Sequence, residues 1–253
     1  MNTLLVTSCN RIKQTTLALV INSHLIEEKF NLVVTDCSTP DLNLEDGVDL
    51  HSKTDAYNHI DKKSYCSDVI LLKKCISLIP NVKDYRILHL FPRERKEIGD
   101  GILISTGLVL TNLIYHDDFC FKLSGVAIMK ENLFSMFSNS SKKHDLIVFS
   151  FLNESFSTRV FAYNSKNILG LLKNNLLCNM QIGDTETRFT TMIKENFLEK
   201  TLDTKLNENN VCLNFTGEKS NITRKKITSF IEEINIDMDN PIIREFLDGG
   251  IYE

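Results

Sequence analysis

The chain has no surplus of positive charge: its 29 Lys and Arg stand against 33 Asp and Glu, a formal net charge of -4. A protein that grips nucleic acid through its phosphates needs the opposite balance, so that class is set aside. A small anionic ligand needs only a local cluster of cations. No apolar run approaches the ~20 residues that a membrane-spanning helix requires, so any membrane contact is expected to be peripheral. The one basic cluster, Lys219 with Arg224, Lys225 and Lys226, reads first as a solvated helix start, because a short basic patch needs a second anchor to hold a membrane firmly. The 7 cysteines are odd in number and show no Cys-x-x-Cys spacing. With no signal peptide, they read as reduced thiols of a cytoplasmic protein, and no Cys or His pair has the spacing of a zinc site. The 6 histidines form no metal or nucleophile constellation, and His89, on an expected strand, reads as a satisfied core group. Gly-x-Ser-x-Gly and P-loop patterns are missing, as are internal repeats.

What is present is ordinary globular material, 42% hydrophobic and 25% charged over 253 residues. That length buries one substantial core, in one large α/β domain or a domain with a small appendage. The most informative stretch runs from Thr3 to Asp41. Two Val- and Leu-rich runs, Thr3-Leu4-Leu5-Val6-Thr7-Ser8 and Asn31-Leu32-Val33-Val34-Thr35-Asp36, each end in small polar residues. Between them Leu17, Val20, Ile21 and Leu25 fall at helical spacing, which makes a β-α-β unit. Open α/β sheets bind ligands beyond the carboxyl ends of their strands. Here those ends carry Thr7, Ser8, Asn10 and Arg11, then Asp36 and Ser38. Arg11 suits a phosphate, and Asp36 suits the donors of a base or ribose.

Thr7-Ser8-Cys9-Asn10-Arg11, the helix after it, and Val33-Val34-Thr35-Asp36-Cys37-Ser38-Thr39-Pro40-Asp41 resemble the opening of the GT-A-fold glycosyltransferases, especially the large family-2 group. In that family the second strand typically ends in two Asp residues followed by Gly-Ser-Thr-Asp. Thr35 stands at the first Asp, Cys37 replaces the Gly, and Pro40 is inserted before Asp41. The resemblance implies an α/β, GT-A-like (Rossmann-like) fold: a mostly parallel central sheet flanked by helices, with a C-terminal helical extension. It implies a nucleotide-sugar donor held by Thr7, Ser8, Asn10, Arg11, Asp36 and Ser38, and a glycan or lipid-linked acceptor. The expected division is a catalytic domain over 1–205, with a nucleotide-binding half over 1–112 and an acceptor half over 113–205, and an extension over 206–253 packed on the same domain.

The polar, acid-rich stretch from Asp41 to Lys63 reads as a loop, either a solvated connection or a flap near the nucleotide. A helix is expected over Tyr65 to Ile79, stopped by Pro80, and a strand over Asp84 to Phe91. Then come Arg93, Arg95 and Lys96 interleaved with Glu94, Glu97 and Asp100, and two glycines, Gly99 and Gly101, where a loop is expected to turn into a helix with a small face ending at Gly107-Leu108. The resemblance makes Arg95, Lys96 and Gly99 candidates for the diphosphate; a salt-bridged surface turn accounts for the same charges.

The next stretch, His116 to Met129, reads as a buried strand entered from an acidic turn, and there the family carries an Asp-x-Asp pair that holds a divalent cation. That pair falls on Ser124-Gly125-Val126, so the carboxylates are missing. The resemblance then implies that Ser124 and Gly125 line the donor pocket and that either Arg11, Arg95, Lys96 or Lys122 meets the leaving charge or a divalent metal is held by other ligands. No metal or cofactor is firmly expected. A short helix is expected over Met129 to Phe137, and a hairpin from Asp145-Leu152 and Arg159-Tyr163. Asn167 to Leu177 reads as another helix, and a further one starts near Asp184 and Glu186. A carboxylate there suits the helix dipole; the resemblance makes Glu186, then Asp184, the general base of an inverting transfer. Two rivals remain: a catalytically silent nucleotide-sugar-binding or scaffold protein, and a sugar-phosphate nucleotidyltransferase.

Overall fold

A computed structural model describes residues 2–8, 12–37, 40–41, 60–90, 96–115, 119–125, 127–140, 143–149, 155–164, 185–196, 201–204, 211–212, 231–232, 236–237, 239–241 and 243–244. The expected helix over Asn167 to Leu177 lies outside them, as does most of the acid-rich stretch after Asp41.

The opening unit folds as its sequence pattern requires. β1 (Asn2–Ser8) and β2 (Phe30–Asp36) are joined by α1 (Ile12–Leu25) and pair in parallel, with Val6 opposite Val34 and Ser8 opposite Asp36. Both strands are apolar on both faces because helices cover the sheet on both sides. Leu4, Val6, Leu32 and Val34 join one core cluster with Ile12 and Leu19 of α1. Leu5 and Val33 point the other way, into a second cluster.

The chain continues through β3 (Pro40–Asp41) and β4 (Ile60–Asp61), a short parallel pair that closes the ends of the acid-rich stretch. α2 (Lys62–Leu78) packs on α1 and leads to β5 (Val82–His89), which pairs in parallel with β2 and puts His89 opposite Asp36. α3 (Lys96–Leu110) crosses the opposite face and runs into a π-helical turn, Thr111–Tyr115. β6 (Phe119–Ser124) then pairs in parallel with β1 on its free side, Thr7 opposite Ser124.

β7 (Ile128–Met129), α4 (Leu133–Ser140), β8 (Leu146–Phe149), β9 (Val160–Tyr163), α5 (Thr185–Asn196), β10 (Thr201–Thr204) and β11 (Val211–Cys212) complete the described elements. The main sheet has 7 strands in the order β10-β8-β9-β6-β1-β2-β5. It is parallel except for β9, which runs antiparallel to both neighbours. The expected hairpin is therefore present, with Ile147 opposite Ala162. β11 pairs with β7, and the side chains of Ile231 and Ile243 are fully buried.

Strand alternation sorts the core into two clusters. Phe119, Phe121, Leu123, Val160 and Ala162 pack with Phe134 and Phe137 of α4 on the α1 side. Cys120, Val148, Phe161 and Tyr163 meet Ile104 and Leu108 of α3 and Phe189, Met192 and Ile193 of α5 on the other. Phe134 lies 5.7 Å from Phe30 and 5.9 Å from Phe121, ring centre to ring centre. Burying each such ring stabilises the fold by about 1.5–3 kcal/mol.

Several boundaries differ from the sequence reading. α3 begins at Lys96, so Gly99 and Gly101 lie within its first two turns rather than in the loop before it. Gly107 is the glycine whose smallness the packing uses, because a Cβ there would lie 2.5 Å from Cδ1 of Leu5. Met129 closes the short strand β7 instead of opening a helix: the Asn22 carboxamide accepts the Met129 N–H at 2.8 Å and donates to the Ala127 carbonyl at 2.9 Å. The helix starts beyond Asn132, whose side-chain oxygen accepts the Ser135 N–H as an N-cap.

Candidate active site

Four parallel strands, in the order β6-β1-β2-β5, end along one edge of the sheet, and the chain reverses there into loops and helix starts. Backbone bonds tie those ends together. The Cys37 N–H donates to the Ser8 carbonyl at 3.0 Å, Leu90 N–H to the Asp36 carbonyl at 2.7 Å, and Gly125 N–H to the Thr7 carbonyl at 2.8 Å. On the far side of β6, Ser124 N–H donates to the Arg159 carbonyl at 2.7 Å. The row from Ser124 through Thr7, Ser8 and Asp36 to His89 is thus a rigid ledge.

Alternation divides the side chains of this ledge between two faces. Ser8, Asp36 and His89 follow the α1-side positions of their strands; Thr7 and Ser124 follow the α3-side positions. Ser8 is buried and its hydroxyl accepts from Thr15 of α1 at 3.2 Å. Thr35, next to the edge, donates to the Leu103 carbonyl at 3.1 Å and so fastens α3 to β2. Asp36 is 1% exposed, and its Oδ2 lies 3.3 Å from Nδ1 of His89, whose side chain is 36% exposed. Thr7 and Ser124 are half-buried.

Gly125 makes the turn at the edge possible. A Cβ there would stand 2.4 Å from the Thr15 hydroxyl and 2.8 Å from the Thr7 carbonyl oxygen, closer than any side chain can sit. The site's two halves meet at this contact, because Thr15 belongs to the first turns of α1 and Thr7 to the end of β1.

Glu186 lies in the first turn of α5, half-buried. Its backbone carbonyl accepts from Thr190, whose hydroxyl in turn accepts the Phe156 N–H, both at 2.8 Å. Residues 155–159 therefore touch α5 at one end and Ser124 at the other.

Of the residues expected at the site, the structure brings together Thr7, Ser8, Asp36, Ser124 and Gly125. Lys96 and Gly99 sit in the first turn of α3, the helix that follows β5. Asn10, Arg11, Ser38, Arg95 and Asp184 lie outside the described residues. Lys122 is not at the edge. It stands opposite Leu5 in mid-sheet, is 2% exposed, donates from Nζ to the Thr158 carbonyl, and lies 6.0 Å from the centre of the Phe161 ring. Two residues short of the strand end, it is committed to holding the 155–159 loop and cannot reach a leaving group.

His89 departs from the sequence reading. It is no core group: it closes β5 in register with Asp36 and shows a third of its side chain to solvent. The available signal was a polar residue at the end of an apolar strand, the same signal that singled out Asp36.

Among the described residues no group of three or more His, Cys, Asp or Glu is placed to share a metal ion, and no helix is long and apolar enough to cross a membrane. Where a GT-A transferase carries its Asp-x-Asp pair, this chain offers a hydroxyl at Ser124, no side chain at Gly125 and an aliphatic residue at position 126. Hard divalent cations take carboxylate and carbonyl oxygens, so these three residues do not fit one.

No protein-family model matches the chain, and no curated protein matches its sequence. Solved structures do match its fold. It is similar to the bifunctional glycosyltransferase WbbM, with a TM-score of 0.59 at 9% identity, covering 98% of this chain and 51% of that one. It is similar to the glycosyltransferase GlyE of Streptococcus pneumoniae, with a TM-score of 0.54 at 10% identity, covering 99% and 64%. It is also similar to the mannosyltransferase PcManGT of Pyrobaculum calidifontis, solved with GDP-Man and Mn2+, with a TM-score of 0.55 at 12% identity, covering 99% and 69%. The chain spans between half and about two thirds of the length of these proteins. The fold is GT-A-type and Rossmann-like.

Proposed function

We propose that this chain transfers a sugar from a nucleotide-sugar donor to a hydroxyl of a glycan or lipid-linked acceptor, with inversion and without a metal. The observation that carries the reading is the ledge: four adjacent parallel strands of a GT-A-type sheet end in polar residues at the carboxyl edge, where open α/β sheets take their ligands. The nucleoside lies toward Asp36 and Ser38, and Thr7, Ser8, Asn10 and Arg11 hold the nucleotide from the end of β1. The sugar lies toward Ser124 and Gly125.

In the reaction the acceptor oxygen forms a bond to the anomeric carbon as the bond from that carbon to the diphosphate oxygen breaks. The electron pair leaves with the nucleoside diphosphate. The hydroxyl proton passes to a carboxylate, Glu186 first and Asp184 second, and in-line attack inverts the configuration. Leaving charge is met by Arg11, Arg95 or Lys96, and by the starts of α1 and α3, where the helix dipole favours an anion. Ser124, Gly125 and residue 126 do not suit a divalent cation, so these cationic side chains carry the charge in its place. The link from α5 through residues 155–159 to Ser124 supports Glu186 as the base.

The missing carboxylates also favour a second reading, a nucleotide-sugar-binding protein that has lost catalysis. Donor hydrolysis and transfer assays, with and without a chelator, separate the two. Sugar release that the chelator does not change, and that Glu186→Gln lowers by about 10²–10⁴-fold while leaving nucleotide binding intact, supports the enzyme. Binding without turnover supports the silent protein. If uridine, cytidine, guanosine and thymidine diphosphates all fail to raise the melting temperature at millimolar concentration, the donor site itself is refuted.

A further inference from the structure

Resting on the donor-site reading above, we infer that His89 is the side chain that touches the nucleoside end of the donor, and that Asp36 is the positioning residue that holds it in place. The sequence pointed to Asp36 as the direct contact. The structure puts that carboxylate under cover, 1% exposed, with Oδ2 3.3 Å from Nδ1 of His89, and leaves the imidazole 36% exposed above it. A carboxylate removed from water holds an N–H donor strongly. Nδ1 is thus the ring nitrogen turned toward Asp36, and Nε2 lies on the opposite edge of the ring.

Position along the ledge then decides which part of the donor Nε2 meets. His89 ends β5, and β2 and β1 lie between it and Ser124 at the end of β6. At about 4.8 Å per strand the two ends are roughly 14 Å apart. With the transferred sugar at Ser124 and Gly125, where the turn brings α5's loop contacts to the edge, the opposite end of an extended nucleotide sugar reaches His89. The imidazole is too far from the bond that breaks to take part in transfer. A ring nitrogen there hydrogen-bonds a ribose hydroxyl or the edge of the base, and so contributes to choosing the nucleotide. The backbone bond from Leu90 N–H to the Asp36 carbonyl fixes the end of β5 against β2, so the contact is preformed.

The test uses whichever of uridine, cytidine, guanosine or thymidine diphosphate raises the wild-type melting temperature most, with inorganic pyrophosphate as the probe lacking a nucleoside. His89→Ala should weaken binding of the nucleoside diphosphate about three- to tenfold, the worth of one hydrogen bond, and leave pyrophosphate binding unchanged. His89→Gln, which keeps a polar group at similar reach, should recover most of the loss. In transfer assays KM for the donor should rise with kcat unaltered. Asp36→Asn should show its effect in the ring itself: nitrogen NMR of His89 should report a hydrogen fixed on Nδ1 in the wild type and a mixed tautomer in the variant, which a purely structural Asp36 would not produce. Equal nucleoside diphosphate affinity in wild type and His89→Ala overturns this inference and leaves the donor-site reading standing. No binding to the wild type overturns both.

Discussion

The two sides of β1 are built by different rules. On one side β1, β2 and β5 are parallel, and Ser8, Asp36 and His89 stand side by side in register. On the other, β6 is parallel but β9 beyond it is reversed, so what reaches the edge there is the start of a strand rather than an end. The first half offers a row of side chains; the second offers the backbone of residues 155–159, which caps Ser124 and leans on α5. On the proposed reading, recognition of the nucleotide falls to the first arrangement and reaction chemistry to the second. One reversed strand is enough to separate them.

The sharpest way to break that division is at its seam. Gly125 touches both halves, and a Cβ there meets the Thr7 carbonyl at 2.8 Å as well as the Thr15 hydroxyl at 2.4 Å. Backbone does not give way as a side chain does, so Gly125→Ala should destabilise the fold by about 2–3 kcal/mol, roughly 5–10 °C in melting temperature, and should abolish nucleotide binding. Gly107→Ala is the matched comparison. The atoms nearest its Cβ all belong to the Leu5 side chain, which repacks more readily, and its cost should be smaller, with binding retained. Equal losses from the two substitutions would remove the seam as an explanation.

A smaller effect is expected wholly within the second half. The Lys122 ammonium donates to the Thr158 carbonyl on the loop that caps Ser124. Lys122→Met keeps the aliphatic stem and leaves that carbonyl short of a partner, a loss of about 1–2 kcal/mol. Hydrogen exchange should quicken at residues 155–159 and at the Ser124 amide while β2 and β5 stay protected. Quickening spread evenly over the sheet would show that the halves are not separate.

The same contrast explains what the sequence made legible. The opening unit of the parallel half was read almost residue for residue, because strands covered on both faces must be continuous apolar runs, and Thr3 to Asp36 shows two of them around one helix. The hairpin in the second half was legible for the same reason. Its neighbour β10 was not: Thr201-Leu202-Asp203-Thr204 has no apolar run, and it is a strand only because it pairs with β8 at the sheet edge. The α3 start was misplaced because glycine is expected outside a helix, whereas here the turns holding Gly99 and Gly101 belong to it. Lys122 misled because charge in a strand suggests a site, and only tertiary contacts show a loop closing over it. His89 was passed over because one sequence cannot show which polar strand end will lie beside another.

The smallest expected effect lies at the sheet edge away from the site, and it serves as the control. α1 begins at the ledge and carries His24 in its last turn, where Nε2 lies 3.5 Å from Nδ2 of Asn240 in the C-terminal segment. Partial burial lowers the His24 pKa from its ordinary 6.5, and the Asp237 charge pulls it part of the way back. Folding therefore releases a proton between the lowered value and 6.5, so this contribution to stability is complete above that window and is lost as pH falls through it. His24→Asn removes the titration and keeps a polar side chain toward Asn240. Melting temperatures at roughly pH 7.5 and 5.5 should fall further on acidification in the wild type than in the variant, by a small margin. Nucleotide affinity at the higher pH should be identical in the two proteins, since His24 and the ledge sit at opposite ends of α1. Equal acid sensitivity would mean that another group governs the slope; an altered affinity would mean that the docked C-terminal segment reaches the site after all.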